Sequence, residues 1–423
     1  MTKWFKLDNA AKIYPPVLNK NWSPLFRLSV DMTEDVDPDI LSEAQKVTLI
    51  RFPSFSTTLK RGFFWYYLEQ IEGAPPIRPD VDNPLQKLVF HKNNGFMYRL
   101  LYYKNRIAVE FFHSLTDGTG GLTFLLSLVS EYVRLKYGEN IPADKFILNM
   151  DDEPSEEELE DAFLRYSDRK TLGILEPFSY QYPSTFVPFD RLLITTGSVD
   201  SDKLRALARE KNCTVGVFTT ALLLYSILQI QKKDKRPFVK RKMVKISMPV
   251  NLRNFFPSKT LRNFAAFINP GLYGMLGDYT LDEVIEFTRH YLAMNLTEKQ
   301  LKARFSYNVA AEKNPIIRII PLFLKVPILQ ISYYLLGDMQ YCSTISNLGL
   351  VNIPEQLRKY ITRMDFLLGR AIVKRSFLGV IAYNGKTVFN FTRTRLESDI
   401  EQIFFSTLVD LGLEVFIESN GRL

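Results

Sequence analysis

The segment that most constrains the fold is the one in which the side-chain period changes from two to 3.6 across a glycine-rich turn. Apolar residues alternate from Arg106 to His113, so Ile107, Val109, Phe111 and His113 share one strand face. A second β-rich run, Phe96 to Tyr103, precedes it, and Lys104-Asn105 between them predicts a tight hairpin. After His113 the chain reads Ser114-Leu115-Thr116-Asp117-Gly118-Thr119-Gly120-Gly121, a turn by composition. Leu122 to Lys136 follows with Leu122, Leu125, Leu126, Val129 and Val133 on one stripe, which predicts an amphipathic helix. A strand that hands a histidine from its apolar face into a turn, and a turn that feeds a helix, predict a sheet with helices packed against it.

The same alternation of strands and helices recurs along the chain. Residues Asp151 to Asp161 carry eight acids and no base, and the Pro-containing stretch Glu176 to Pro188 is irregular. Together they predict a crossover at 161–189 between two α/β halves, 1–160 and 190–423. In the second half a strand is predicted near Arg191 to Thr196, followed by two helices from about Ser201. A long helical region is predicted over Leu281 to Glu312, and a hairpin at Asn384-Gly385 between Phe377–Tyr383 and Lys386–Arg393. A closing helix is predicted over Ser398 to Leu411, capped by Ser398 or Asp399. No internal repeat is visible.

Composition removes several function classes. Two cysteines, Cys213 and Cys342, argue against a disulfide scaffold or a thiolate metal site, and are expected to be buried free thiols. Three histidines, His91, His113 and His290, argue against a multi-histidine metal centre, so no metal is expected. His91 reads as a turn residue and His290 as a helix residue. The first residues have no apolar core of a signal peptide. The most apolar stretch, Pro315 to Gly337, is broken by Arg318, Pro321, Lys325 and Pro327, and its longest uncharged run, Val326 to Gly337, is shorter than the ~20 residues a bilayer requires. A cytoplasmic protein is expected, with this segment as its peripheral membrane contact.

The segment Phe111 to Gly121 matches the H-x-x-x-D-G motif through His113, Asp117 and Gly118, and resembles the CoA-dependent acyltransferase superfamily. Chloramphenicol acetyltransferase and the condensation domains of nonribosomal peptide synthetases belong to that superfamily. Trp4 to Pro15, Phe26 to Val30, Arg51 to Phe55, Arg61 to Glu69, Pro249 to Phe264 and Ser346 to Gly349 are similar to its bacterial alcohol acetyltransferase branch, in the expected order. Where the family commonly has two consecutive histidines, the first is here Phe112. Strand parity turns Phe112 to the opposite face and makes it a packing position. The resemblance implies an α/β (α+β) sandwich fold of two chloramphenicol-acetyltransferase-like halves, with an active-site channel between them where acyl donor and acceptor meet at His113.

The residue types supply the chemistry. A neutral imidazole takes the proton of an alcohol as its oxygen attacks a thioester carbonyl, then returns it to the departing thiolate. Neither a metal nor a covalent intermediate is needed, and no cofactor is permanently bound; acetyl-CoA or another acyl-CoA is the co-substrate. Ser114, on the other face, is not a nucleophile in this scheme. Ser346, Asn347 and nearby backbone N–H groups are the candidates for holding the oxyanion. Asp117 reads either as an orienting carboxylate of a Ser-His-Asp type relay or as a structural group pinning the loop. The structural reading is adopted, with Arg253 as its partner on the precedent of the family's buried Asp–Arg pair. Gly118, Gly120 and Gly121 are read as permitting positive φ and close approach to substrate.

The formal net charge is +8, and the most basic run is Lys232 to Lys245. Lys232, Lys233, Lys240 and Arg241 are the candidates for the phosphates of CoA, with a solvated helix-to-strand connection as the plainer reading. An acyl carrier protein is the alternative donor. Nothing resembles a nucleic-acid-reading module. The function expected is acyl-CoA:alcohol O-acyl transfer, acetyl transfer first, to a small apolar alcohol or amine by a monomer. Amide-forming or carrier-dependent condensation is the alternative in the same fold, and a non-catalytic docking module is the alternative in another class. Gly385-Lys386-Thr387 resembles the end of a P-loop, but the hairpin explains it without nucleotide.

Overall fold

The computed structural model describes residues 3–19, 23–168, 176–188, 191–370 and 375–421. Residues 169–175 and 189 of the expected crossover lie outside them. Lys104-Asn105 closes an antiparallel hairpin of Tyr98–Tyr103 and Arg106–Phe112, paired from Tyr103↔Arg106 to Tyr98↔Phe111, with Lys104 at φ 49°. Leu25–Met32 pairs with the other edge of Arg106–Phe112, and Ile361–Leu368 pairs antiparallel with Leu25–Met32. Arg78–Pro79 completes this five-stranded sheet. Its outer strand Ile361–Leu368 comes from beyond residue 190, so the first sheet is not built from residues 1–160 alone.

Both faces of Arg106–Phe112 are buried. On one, Phe111 meets Phe26, Phe55 and Phe124. On the other, Glu110 is fully buried and lies cross-strand from Arg27 and Arg99, which both pair with it. Two cations on one carboxylate let a charge sit where the pattern alone expects apolar packing. Phe112 packs edge-on against Phe90 on this same face, as strand parity requires.

The larger sheet runs, in spatial order, Ala265–Ile268, Met243–Asn251, Ser343–Leu350, Ser376–Tyr383, Lys386–Arg393, Leu193–Asp200 and Phe416–Ser419, with Gly271–Tyr273 also on Met243–Asn251. Ser343–Leu350 is parallel to both of its neighbours. The Asn384-Gly385 turn has both residues at positive φ, 46° and 73°, which suits the twist of a two-residue hairpin. A small sheet of Trp4–Lys6, Tyr66–Gln70 and Thr57–Arg61 stands beside these two.

Ser201–Glu210 and Val215–Lys233 are the two helices after Leu193–Asp200, capped by Asp200 and Thr214. Val215–Lys233 is long and apolar enough to cross a membrane, yet most of it is buried in the core beneath the larger sheet. The long helical region divides into Leu281–Asn295 and Glu298–Lys313, because Thr280 and Thr297 each cap a new helix. The closing helix spans Asp399–Asp410; Ser398 holds the cap position but its side chain makes no capping bond.

The largest departure is at the glycine-rich turn. The helix begins at Gly118 and runs to Tyr137, because Asp117 caps it by accepting from the backbone N–H of Thr119 (3.1 Å) and Gly120 (3.0 Å). Gly118, Gly120 and Gly121 are therefore helical, and none has positive φ. They are needed for close packing. A Cβ on Gly120 would stand 2.2 Å from the Leu261 carbonyl oxygen, and one on Gly121 would stand 2.9 Å from the Phe26 ring.

Gly120→Ala should therefore destabilise the protein by about 1–3 kcal/mol through overpacking, despite alanine's better helix propensity. Gly216→Ala is the control, since the nearest atom to its new Cβ is 3.9 Å away. It should be neutral or stabilising by up to ~1 kcal/mol. Denaturant unfolding of both variants checks this; equal stabilities would reject the packing account.

Candidate active site

His113 is the first residue past Arg106–Phe112, and its backbone N–H donates to the Pro24 carbonyl (2.9 Å). Its ring is half-buried, stacked on Tyr14 with centroids 4.6 Å apart, and edge-on to Phe26 at 5.1 Å. Nδ1 lies 3.1 Å from Oδ1 of Asn263. The amide of Asn263 is oriented from its other end, where Nδ2 donates to Oδ2 of Asp8 (3.2 Å). A carboxylate accepts, so the amide nitrogen faces Asp8 and the amide oxygen faces the ring. Nδ1 therefore carries the imidazole proton, and Nε2 keeps a free lone pair.

Asp8 is held in turn by the Ala11 N–H (2.7 Å) and lies 3.7 Å from the guanidinium of Arg262. Burial raises its pKa in spite of these partners. Burial, with Asp8 close by, also pushes Asp161 up to about 7. For His113 burial is the largest influence and lowers the pKa below 6.5, against opposing contributions from its own backbone carbonyl, Asp117, Asn263 and Asp8. The ring is neutral at pH 7.

Asp117 does not touch the ring. Beyond its two capping bonds, its Oδ2 accepts from Nη1 of Arg253 (2.8 Å) and from the backbone N–H of Phe264 (2.8 Å). Arg253 spends its other donors on the carbonyls of Thr260 and Arg262 and on Oδ1 of Asn251. Thr116 Oγ1 donates to the Leu261 carbonyl (2.6 Å), and Asn251 Nδ2 donates to Oγ1 of Thr119 (3.1 Å). The strand–turn–helix unit of the first half is thus fastened to the segment 251–264 of the second, and Asn263 reaches His113 because of it. The hydroxyl of Ser114 is buried and donates to the Ala11 carbonyl (3.1 Å), a structural use.

The remaining candidates are dispersed. Ser343–Leu350 carries Ser346 and Asn347 toward the end of the sheet that holds Asn251. Leu348 reaches the helix start, within 3.1 Å of where a Cβ on Gly118 would be. Oδ1 of Asn347 accepts from the Gly349 N–H (2.8 Å), and among the described residues neither Ser346 nor Asn347 bonds to His113. Lys232, Lys233, Lys240 and Arg241 gather at the opposite end of Met243–Asn251, a strand about 26 Å long at 3.3 Å per residue. Lys232 already pairs with Asp278 (2.7 Å), and Arg241 lies over the Phe238 ring. Lys232 and Lys240 line a recess of about 20 Å³, room for about one water. These bases are not brought to His113. His91 and His290 are exposed. Cys342 is buried as expected, whereas Cys213 is only half-buried. Asn263 and Asp8 carry no motif signal of their own; Asn263 stands inside the run Pro249 to Phe264 that carries the resemblance, and Asp8 inside Trp4 to Pro15.

No protein-family model and no curated protein sequence matches the chain. Solved structures do match its fold over nearly its whole length. TRI101 of F. sporotrichioides, complexed with coenzyme A and T-2, is similar at TM-score 0.65 and 11% identity, covering 99% of this chain and 100% of that one. Polyketide synthase associated protein 5 from Mycobacterium tuberculosis is similar at 0.63 and 14%, covering 96% of each chain. The condensation domain of the Monacolin K polyketide synthase MokA is similar at 0.59 and 13%, covering 97% of this chain and 96% of that one. The chain has the fold of the CoA-dependent acyltransferases and condensation domains.

Removing one member of the buried Asp117–Arg253 pair should cost about 3–5 kcal/mol, because the other charge is left without its partner. The double replacement should cost less than the sum of the singles. A denaturant double-mutant cycle with Asp117→Ala and Arg253→Ala measures the coupling, and strict additivity would refute it.

Proposed function

We propose that the protein is an acyltransferase that moves an acyl group from a CoA thioester to a hydroxyl group, with His113 as the general base. The observation that carries this reading is the half-buried imidazole of His113, whose Nδ1 lies against the Asn263 amide oxygen and whose pKa burial lowers, which leaves Nε2 as the nitrogen to act as base. The acceptor hydroxyl donates to Nε2 while its oxygen bonds to the thioester carbonyl carbon. The tetrahedral adduct collapses by breaking the C–S bond, and the imidazolium returns its proton to the thiolate sulfur. The carbonyl oxygen carries the charge in between, and Ser346, Asn347 or an adjoining backbone N–H supplies its donor. Asp117 and Arg253 act by holding the frame and exchange no proton.

The acceptor is proposed to be a small apolar alcohol, because Tyr14 and Phe26 flank the base with aromatic surface. Support for a CoA thioester as donor comes from TRI101, whose structure holds coenzyme A. The condensation domain of similar fold keeps a carrier-bound donor as the competing outcome. Incubation with acetyl-CoA and a panel of alcohols and amines, following free thiol, distinguishes them. Thiol release that needs a carrier-bound acyl group, with none from acetyl-CoA, would favour condensation.

His113→Ala should lower turnover about 10²–10⁴-fold, while Ser114→Ala should keep most activity. A His113→Ala enzyme within threefold of wild type would end the proposal, and a trapped acyl-enzyme lost in Ser114→Ala would replace it with a serine route.

The pH profile is a separate check. The base works only when neutral, and burial lowers its pKa, so kcat/KM should hold as pH falls through 6.5 and decline only below it. A midpoint of the acid limb at 7 or higher is incompatible with His113 as the base in this environment.

A further inference from the structure

One helix is built inside out. In Leu322–Leu336 the charged residue, Lys325, is buried: its Nζ donates to the carbonyls of Phe64 (3.1 Å) and Arg318 (3.4 Å) and lies over the Trp65 ring. At about 100° per residue, Phe323, Leu324, Ile328, Ile331, Tyr334 and Leu335 fall in one arc of about 140°, and this arc faces outward, with Phe323 and Ile331 each 60% exposed. A surface helix ordinarily turns its polar residues to water. The apolar face continues beyond the helix. Ile316 and Ile319 are exposed on the short helix Pro315–Ile319. Phe63 and Phe64 are exposed at the tip between Thr57–Arg61 and Tyr66–Gln70, and the Phe63 carbonyl accepts from the Leu322 N–H (2.8 Å). A contiguous apolar patch of this kind marks an interaction surface.

The charges around it select the partner. Residues 313–337 contain no Asp or Glu. Arg61, Lys313 and Arg318 are exposed at the rim, and no carboxylate pairs with them among the described residues. A symmetric contact between two copies would set this face against itself and bring like charges together. An anionic surface with an apolar interior answers both features. We propose that this face, Phe63-Phe64 with 316–335, docks on the surface of a membrane that contains anionic lipid. At fifteen residues the helix is shorter than the ~20 needed to span, so it lies in the interface. The surface stands independently of the acyl-transfer reading. On that reading it has a use: Gln330 on the helix donates to the Pro16 carbonyl (2.7 Å), two residues past Tyr14, which stacks on His113, so an apolar acceptor held in lipid is presented near the base.

Vesicle co-sedimentation tests this without any turnover, so its failure and that of the acyl-transfer reading are separable. Wild-type protein should sediment with phosphatidylcholine vesicles containing phosphatidylglycerol, and less with pure phosphatidylcholine or in high salt. Ile328→Glu with Ile331→Glu should reduce partitioning at least tenfold while leaving circular dichroism and Tm unchanged, since both side chains are exposed. Arg318→Glu should weaken it by about fivefold or more per charge, on the anionic vesicles alone. Absence of binding to either vesicle, or equal binding by the Ile328→Glu/Ile331→Glu variant, overturns the proposal. A wild-type dimer in sedimentation that the same variant dissociates, without vesicle binding, assigns the face to a second copy instead.

Discussion

The carboxylate of Asp117 is the point on which the site depends. Each of its oxygens accepts two hydrogen bonds, one pair from the first turn of its own helix and one pair from Arg253 and the Phe264 N–H, well over a hundred residues away in sequence. Desolvating a carboxylate and a guanidinium is unfavourable, and it is offset only when the remaining donors and acceptors are also satisfied. That condition is met here, since Arg253 also bonds to two carbonyls and to Asn251. One residue therefore sets where the helix starts and where the segment 260–264 lies. The distance from Asn263 to His113 is a consequence.

That consequence bears on the imidazole itself. In a Ser-His-Asp relay the group at Nδ1 is a carboxylate, which stabilises the imidazolium and raises its pKa. Here an amide stands in that place and the carboxylate, Asp8, is one residue further back. The amide fixes the tautomer without adding a charge in contact with the ring. Burial then outweighs the more distant attraction of Asp117 and Asp8, and the ring stays neutral. In the proposed acyl transfer, a base that accepts a proton from a weak acid and releases it at once to a thiolate would be served by such a balance.

Much of this was legible in the sequence where the signal is local. The hairpin at Lys104-Asn105 and the placement of His113 and Phe112 on opposite strand faces follow from a period of two. Arg253 was inferred from the resemblance, on the precedent of the family's buried Asp–Arg pair. At Gly118, Gly120 and Gly121 the sequence misleads, because glycine is a poor helix former and a common turn residue, so local propensity predicts a turn. Tertiary packing overrides it: the Leu261 carbonyl passes so close to Gly120 that no Cβ fits. Asn263 and Asp8 were not legible, since neutral amides and single aspartates carry no pattern and their partners lie 150 and 255 residues away.

Strand order was hidden for a related reason: periodicity marks a strand without naming its neighbour. Ser343–Leu350 and Ser376–Tyr383 are adjacent in the larger sheet, yet between them in sequence the chain crosses over to lay Ile361–Leu368 against Leu25–Met32. Met364, Phe366 and Leu367 thereby enter the same core as Phe26 and Phe111. Phe366 meets the ring of Phe26, which itself stands edge-on to His113. The surroundings of His113 thus draw on the N-terminus and on 251–264 directly, and on 361–368 through Phe26. Its burial, and with it the lowered pKa, exists only once both sheets are formed, so the protonation behaviour of His113 is a property of the assembled chain and not of the motif that marks it.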